Sequence, residues 1–224
     1  MITMTFVNPK GGTGKTTSCM ILAEQLAEAG YKVCVLDCDP NRNILGWQEQ
    51  RDKKGSDRIF DVIEGPSEDD LIDRLGELET SYEVALLDME GTADQIVTFA
   101  LSQTDLCIIP FEPTPMETRQ AARSVALVER TSKMINRTIK YVLVMTRTNA
   151  AFQTSDEKDV RSSIKDLPIL ETSLVKRAAF TRIFRDAELL RELDVRSVSN
   201  VGKALENAKG FAANVLEQLK MDEV

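Results

Sequence analysis

The stretch that decides the fold of this chain is Phe6–Thr17, which reads FVNPKGGTGKTT. An apolar, strand-like segment, Ile2–Asn8, leads into it, and a helix-period segment, Lys15–Ala29, follows it. Closely spaced glycines let backbone N–H groups curl around phosphate oxygens, and the helix start adds partial positive charge. The stretch therefore predicts a phosphate-binding loop, in a variant of the GxxxxGK[ST] pattern that lacks the first glycine.

The side chains of this loop carry the next predictions. Lys15 is expected to reach the β and γ oxygens of a nucleotide, and Thr16 to offer its hydroxyl to Mg²⁺. The nucleotide-binding residues expected here are Gly11, Gly12, Thr13, Gly14, Lys15, Thr16 and Thr17.

Outward from the loop, apolar strand-like runs alternate with helix-period segments along the whole chain. This alternation is typical of a doubly wound, three-layer α/β fold with helices on both faces of a mainly parallel sheet. No repeat or long linker divides the chain, so we expect one phosphate-loop domain over residues 1–224. The expected strands are Ile2–Asn8, Lys32–Asp37, Val84–Asp88, Leu106–Pro110 and Ile139–Thr146. The expected helices are Lys15–Ala29, Ile44–Arg51, Glu68–Leu78, Met116–Thr131, Phe152–Lys165, Ala178–Leu193 and Val201–Leu219.

Three aspartates lie where predicted strands end. Asp37 ends the second predicted strand, Asp39 lies two residues beyond it, and Asp88 ends a later strand. Because parallel strands bring their carboxyl ends to one sheet edge, all three should emerge beside the loop. Asp88 is expected to orient a Mg²⁺-bound water, Asp39 to position the attacking water, and Asp37 to support the loop and the metal shell. The expected metal ligands are thus Thr16, Asp37 and Asp88, some of them through water, and Gly91 would let a switch loop approach the γ-phosphate.

Composition excludes several kinds of chemistry. The 224 residues carry a net charge of −8 and include no histidine, which rules out histidine-dependent triads, general bases and metal sites. The four cysteines show no CxxC spacing and are expected to be small core residues in a reducing compartment. No apolar run approaches the roughly 20 residues of a membrane span, and no signal segment is recognisable. We therefore expect a cytoplasmic protein.

Charge is distributed unevenly along the chain. Residues 52–90 hold 13 acidic and 4 basic side chains, whereas residues 119–203 hold 10 acidic and 17 basic ones. Either these are solvated helix faces that happen to differ, or the basic region carries a surface for a polyanion.

Together these motifs resemble the ParA/MinD group of deviant-Walker ATPases, and most closely the small ParF-like partition ATPases without an N-terminal DNA-binding domain. The resemblance extends over nearly the whole chain. It rests on the phosphate loop and then, in order, on LDCDP at 36–40 with Trp47 after it, YEVALLD at 82–88 and IIPFEPTPM at 108–116. The chain departs from the group at Asn41, where Gln is common, and at MEGT, residues 89–92, where a small-residue run such as PPG is usual. The second departure bears on the hydrolysis rate.

The resemblance implies a Mg²⁺-dependent ATPase that converts ATP to ADP and phosphate, slowly without a partner. Lys10 would be the signature lysine, which crosses the interface of an ATP-bound homodimer to touch the nucleotide of the other subunit. It would therefore bind nucleotide and act in catalysis together with Lys15 and Asp39. Thr146 and Arg147 would either contact the adenine base or cap their strand. The implied cofactors are ATP and Mg²⁺.

The resemblance also implies partners. ATP-bound dimers of this group bind DNA without sequence preference, and a ParB-like or other adaptor stimulates hydrolysis, so that plasmid or chromosomal DNA or another cargo is segregated or positioned. The protein would then associate with the nucleoid when ATP is bound, with no membrane partner. We expect the DNA-binding surface in the basic region, residues 119–203. The alternative is that these basic side chains, together with Asp186 and Glu188, form an ordinary solvated helix face. The expected DNA-binding residues are Lys176, Arg177, Arg182 and Arg185.

Other functions occur on the same fold. A MinD-like membrane-surface regulator needs a basic amphipathic C-terminal helix, whereas Val215–Val224 ends acidic. A metabolic ATP-dependent ligase needs a small-molecule pocket beside the γ-phosphate. An iron–sulfur reductase needs cysteines that face across the dimer axis, and only Cys107 offers a residue to test.

Overall fold

The structure is a computed structural model that describes residues 1–91 and 95–220. The strands are β1 (Ile2–Phe6), β2 (Val33–Cys38), β3 (Asp61–Glu64), β4 (Val84–Met89), β5 (Leu106–Phe111), β6 (Lys140–Thr148) and β7 (Leu174–Val175). The helices are α1 (Lys15–Glu28), α2 (Asn43–Lys54), α3 (Leu71–Leu78), α4 (Gln95–Ser102), α5 (Pro115–Ile135), α6 (Ser155–Ser163), α7 (Ala178–Arg185) and α8 (Val201–Lys220), with a 3₁₀ helix at Leu190–Glu192.

All seven strands form one parallel sheet in the order β3-β2-β4-β1-β5-β6-β7. Successive side chains of a strand point to opposite faces, and each face of this sheet buries its own apolar cluster. One cluster contains Met4 and Phe6 and packs against α1, α2, α7 and α8. The other contains Leu87 and Ile109 and packs against α3, α4, α5 and α6. The predicted three-layer α/β fold is therefore confirmed.

Strand register gathers the residues that matter for function at one edge. β1 lies between β4 and β5 in the middle of the sheet, and its last residue, Phe6, pairs with Asp88 of β4. On the other side of β4, Asp37 of β2 pairs with Asp88. The loop that follows β1 consequently starts at the same level of the sheet as the two aspartates.

Several sequence-predicted elements need correction. β3, β7 and α4 were not predicted, and the two strands among them are short and partly exposed, so their side chains give little apolar signal. The single helix expected over Ala178–Leu193 is wrong, because α7 ends at Arg185 and Ala187 adopts a left-handed φ of 44°. A left-handed residue cannot continue a right-handed helix.

Capping side chains set two helix starts that periodicity alone misplaced. The helix expected to begin at Phe152 begins at Ser155, because the Thr154 hydroxyl accepts a hydrogen bond from the Glu157 N–H at 3.1 Å. In the same way, the Thr114 hydroxyl accepts from the Glu117 N–H at 3.3 Å and starts α5. Glu117 and Glu157 are thus the third residues of two similarly capped helices.

Candidate nucleotide site

The loop between β1 and α1 wraps around the amine of Lys15. Lys15 Nζ donates to the carbonyl oxygens of Asn8 at 3.1 Å and Lys10 at 3.4 Å. The side chain is buried, and burial lowers the pKa of Lys15 while the nearby Asp88 carboxylate opposes that effect. Phosphate oxygens would be stronger acceptors for this ammonium than two neutral carbonyls, so the loop holds its lysine ready for an anion.

Glycines allow the loop to lie tightly against its neighbours. Gly12 and Gly14 have left-handed φ values of 80° and 98°, and a Cβ on Gly14 would lie 3.2 Å from Thr146 Cγ2. Thr146 also donates its hydroxyl to the Thr13 carbonyl at 2.8 Å, which ties the loop to β6. A Cβ on Gly91 would lie only 2.9 Å from the Pro9 carbonyl oxygen. The segment after β4 therefore lies directly against the loop at Gly91, while an approach to the γ-phosphate stays a prediction. Thr92 of the MEGT stretch is outside the described residues.

Asp88 and Thr16 form the core of a possible magnesium site. Thr16 Oγ1 donates to Asp88 Oδ2 at 2.7 Å, and the other carboxylate oxygen, Oδ1, is buried without a hydrogen-bond partner among the described residues. Burial raises the pKa of Asp88 to about 7, opposed by the Thr16 hydrogen bond. Buried oxygens are normally satisfied, so the open Oδ1 indicates a missing cation or donor.

The other two predicted aspartates have different surroundings. Asp37 Oδ2 accepts from the backbone N–H groups of Ile44 and Leu45, both at 2.9 Å, so this carboxylate holds the first turn of α2. Burial raises the pKa of Asp37, and these hydrogen bonds oppose the change. Asp39 is half-buried, and its Oδ1 accepts from the backbone and side chain of Asn41 at 2.8 and 2.7 Å. Asp39 lines the phosphate cavity described next, whereas Asp37 does not line it and holds the start of α2.

Several cavities border the loop, and two of them bear on the predicted site. The first, of about 490 Å³, is the phosphate cavity, and its lining includes Lys15, Thr16, Asp39, Gly91 and Arg147. The second, of about 370 Å³, is the neighbouring cavity, which shares Gly14, Thr17 and Arg147 with the first. Its other lining residues are Ser18, Thr146, Leu174, Val175, Lys176, Arg177, Phe180, Thr181 and Phe184. Thr146 and Arg147, the pair predicted to contact the base, thus both line the neighbouring cavity.

Lys10 is directed away from the phosphate cavity that its neighbours line. Its amine forms an ion pair with Glu117 at the start of α5, and Lys10 is not among the residues lining that cavity. Sequence analysis missed Glu117, which is 107 positions from Lys10, because no spacing rule signals such a contact. It also missed Asn8, whose buried side chain accepts from the Lys10 N–H at 3.0 Å and donates to the Pro110 carbonyl at 2.8 Å.

The four predicted DNA-binding residues do not form one helix face. Lys176 and Arg177 precede α7 and line the neighbouring cavity. Arg182 Nε lies 2.7 Å from Asp186 Oδ2, and Arg185 Nε lies 4.0 Å from the other oxygen of that carboxylate. These contacts of Arg182 and Arg185 with Asp186 agree with the alternative interpretation of the basic residues as a solvated helix face.

The donor set around the loop suits Mg²⁺ held jointly with a ligand. No group of three cysteine or acidic side chains that could hold a metal occurs within residues 1–91 and 95–220. Magnesium is usually bound by one or two carboxylates together with waters and substrate phosphates, so Thr16 and Asp88 fit this role. A glycine-rich loop between the central strand and first helix of a parallel sheet defines the class of P-loop nucleotide-binding proteins.

Comparison with known proteins agrees with this class. A sequence model of the VirC1 protein family matches residues 1–219. Protein ParA of Rhizobium radiobacter is 28% identical over 212 residues, which cover 94% of this chain and 94% of the relative. VirC1 of Rhizobium rhizogenes is 26% identical over 180 residues, covering 79% of this chain and 78% of the relative. An ATP complex of a McdA variant from Cyanothece is similar in fold, with a TM-score of 0.78, 17% identity and 96% coverage of each chain.

The chain therefore belongs to the VirC1 family, within the ParA/MinD-like group of partition and positioning ATPases. In the part of the chain that the structure describes, no helix is long and apolar enough to cross a membrane. All four cysteines are free, and three of them are buried.

Proposed function

We propose that this protein is a Mg²⁺-dependent ATPase that dimerises with ATP and, as the dimer, binds DNA without sequence preference. An adaptor of the ParB type or another kind would stimulate hydrolysis, and the cycle would segregate or position DNA or another cargo. Relatives named for partition and for the distribution of carboxysomes support this general role. The protein would then be cytoplasmic and associated with the nucleoid while ATP is bound.

The observation that carries the proposal is the open buried oxygen of Asp88 beside the phosphate loop. Thr16 and Asp88 would hold Mg²⁺, while Lys15 and the loop N–H groups bind phosphate oxygens. Magnesium, when bound, would offset the negative charge that develops on the phosphates. Asp37 would order α2 rather than contact the metal, because its hydrogen bonds to Ile44 and Leu45 already engage it.

The remaining steps fall to residues that face the phosphate cavity or its neighbour. Asp39 would orient the attacking water, since its carboxylate lines the cavity and phosphoryl transfer depends mainly on positioning. The base would occupy the neighbouring cavity between Arg147 and Phe180. Ser18 Oγ and Arg177 Nε, which line that cavity, are buried without a partner among the described residues, so they are available to a polar heterocycle.

For DNA contact, the structure favours the exposed members of the basic set. Lys176 and Arg185 are exposed, whereas Arg177 and Arg182 are half-buried. We propose that Lys176 and Arg185 contact DNA phosphates directly and that Arg177 acts at the nucleotide. The acidic end expected to oppose membrane binding includes residues 221–224, which lie outside the described residues.

Binding to a non-specific DNA duplex, measured by fluorescence anisotropy, tests this function. We expect binding with ATP but not with ADP or without nucleotide, and a steep loss of affinity as salt rises. Asp39→Ala should retain binding, because it slows hydrolysis, and Lys10→Ala should lose it. Arg185→Ala should lower the slope of log affinity against log salt concentration by about one. Lys53→Ala, which removes an exposed lysine in the acidic region, residues 52–90, serves as control. Absence of DNA binding under every nucleotide condition would contradict the proposal, and a membrane or metabolic role would then be tested.

A further inference from the structure

Lys10 is held by two independent anchors on the carboxyl end of β5. Its backbone N–H donates to Asn8, whose amide is bonded to the Pro110 carbonyl of β5. Its amine pairs with Glu117, and the helix that carries Glu117 starts directly after β5 at the Thr114 cap. The backbone of Lys10 is therefore fixed to β5 and its amine to α5, which follows β5 in the chain, so the amine has a defined position.

The ion pair between Lys10 and Glu117 is unequally buried. The Glu117 side chain is only 8% exposed, whereas that of Lys10 is 42% exposed. An ammonium has three donors, so one can bond Glu117 while the others remain available on the exposed side. The pair thus fixes the amine from inside the subunit and leaves its outer side open.

The Glu117 side chain does not cap its helix. The cap of α5 comes from Thr114, and the Thr114 N–H donates to the Glu112 carbonyl. Glu117 Oε1 faces Lys10, while Oε2 is buried with no hydrogen-bond partner among the described residues. A buried carboxylate with one free oxygen strongly favours keeping the single cation that it has.

We propose that Glu117 is a positioning residue that withholds Lys10 from the phosphates of its own subunit and presents it to a second copy of this chain. The proposal rests on the proposed function, because it assumes that ATP-bound subunits pair face to face. Without the Glu117 charge, the Lys10 amine is free to turn toward the phosphate cavity of its own subunit, which the adjacent loop residues Pro9 and Gly11 line. Glu117 thereby makes the Lys10 contact depend on dimerisation.

The test uses Glu117→Gln, which keeps size and polarity but removes the charge, and Glu157→Gln as matched control. Glu157 is also the third residue of a threonine-capped helix and is also buried, but it pairs with Arg161 of its own helix. Dimerisation with a non-hydrolysable ATP analogue is measured by sedimentation. Nucleotide affinity is measured separately at protein concentrations too low for dimers.

We expect Glu117→Gln to weaken nucleotide-driven dimerisation about tenfold, the size of one charge-assisted hydrogen bond, without weakening nucleotide binding by the monomer. Glu157→Gln should dimerise like the wild type. In the Lys10→Ala background, which we expect to stay monomeric, Glu117→Gln should lower neither the thermal stability nor the nucleotide affinity of the monomer, because its effect acts through Lys10.

Two results would overturn the inference. One is a Glu117→Gln protein that dimerises like the Glu157→Gln control. The other is a loss of thermal stability or of monomer nucleotide affinity that Glu117→Gln causes both in the wild type and in Lys10→Ala, which would assign Glu117 a general structural role. Failure of the wild type itself to dimerise with nucleotide would instead contradict the proposed function, so the two failures are distinguishable.

Discussion

At the scale of single residues, Asp37 and Asp88 show how environment separates two aspartates that pair across neighbouring strands. Both occupy strand positions in direct register. Asp37 accepts backbone hydrogen bonds from α2, whereas Asp88 accepts from Thr16 and has one buried oxygen without a partner among the residues that the structure describes. Under the proposed function, metal binding therefore depends on Asp88 far more than on Asp37.

Isosteric substitutions test this difference. Asp88→Asn should weaken Mg²⁺-dependent nucleotide binding by about tenfold or more, because an amide is a poor magnesium ligand. Asp37→Asn should change it little, since the amide oxygen can still accept from Ile44 and Leu45. Titration calorimetry with ATP, with and without Mg²⁺, makes the measurement. Equal losses in the two variants would instead assign Asp37 to the metal shell, as the sequence first indicated.

Residue types and spacing predicted the loop and its aspartates because each is adjacent, in sequence, to a strand end. The partners of those residues were not predictable in the same way. Asn8 and Glu117 act through contacts with residues 102 and 107 positions away, which only the sheet order brings together. Lys176 and Arg177 belonged to a basic cluster in the sequence, yet the structure puts them on a cavity wall.

At the scale of secondary-structure elements, Glu24 of α1 connects the first helix to the segment before α8. Its two carboxylate oxygens accept from the backbone N–H groups of Leu190 and Arg191 at 2.8 and 3.0 Å, and so hold the 3₁₀ helix. Glu24 is 3% exposed, and burial raises its pKa from 4.5 to about 7 despite these hydrogen bonds.

This raised pKa makes the stability of the protein depend on pH. The folded state binds the Glu24 proton more tightly than the unfolded chain does. The stability that this protonated carboxyl contributes is therefore complete below about pH 4.5 and is lost as pH rises through about 7. We expect Glu24 to lower the free energy of unfolding by up to about 3 kcal/mol across this range. Urea denaturation of the wild type and Glu24→Gln at several pH values measures it. Equal pH slopes in the two proteins would contradict the assignment.

Elements were predictable where apolar periodicity was strong and less so where capping or tertiary contacts decide. The central strands are buried on both faces and read as continuous apolar runs. β3 and β7 lie at the two ends of the sheet order and carry few buried residues. The break after α7 arises from the backbone at Ala187 and from contacts of the following segment with α1 and α2.

At the scale of the whole molecule, the packing of α2 links the phosphate side to the last quarter of the chain. Trp47 Nε1 donates to the Ile183 carbonyl at 2.9 Å. Arg51 is 1% exposed, pairs with both oxygens of Glu192 at 2.5 and 3.1 Å, and lies over the Trp47 ring. The helix that starts at the Asp37 cap is therefore also bound to α7, which lines the cavity proposed for the base.

Lys10 is the residue through which nucleotide binding and dimerisation would be coupled. The residue belongs to the phosphate loop by sequence, but its amine is anchored outside its own phosphate cavity. A cation that completes the site of another subunit makes nucleotide binding and dimerisation thermodynamically linked. DNA binding and release would both follow from this linkage.

Sedimentation velocity of the wild type and Lys10→Ala, each with ATP and Mg²⁺, with ADP and without nucleotide, measures whether dimerisation depends on nucleotide and on Lys10. We predict a wild-type dimer only with ATP, and a Lys10→Ala protein that still binds ATP but stays monomeric. A wild type whose sedimentation does not change with nucleotide, or a Lys10→Ala protein that dimerises with ATP as the wild type does, would contradict the account.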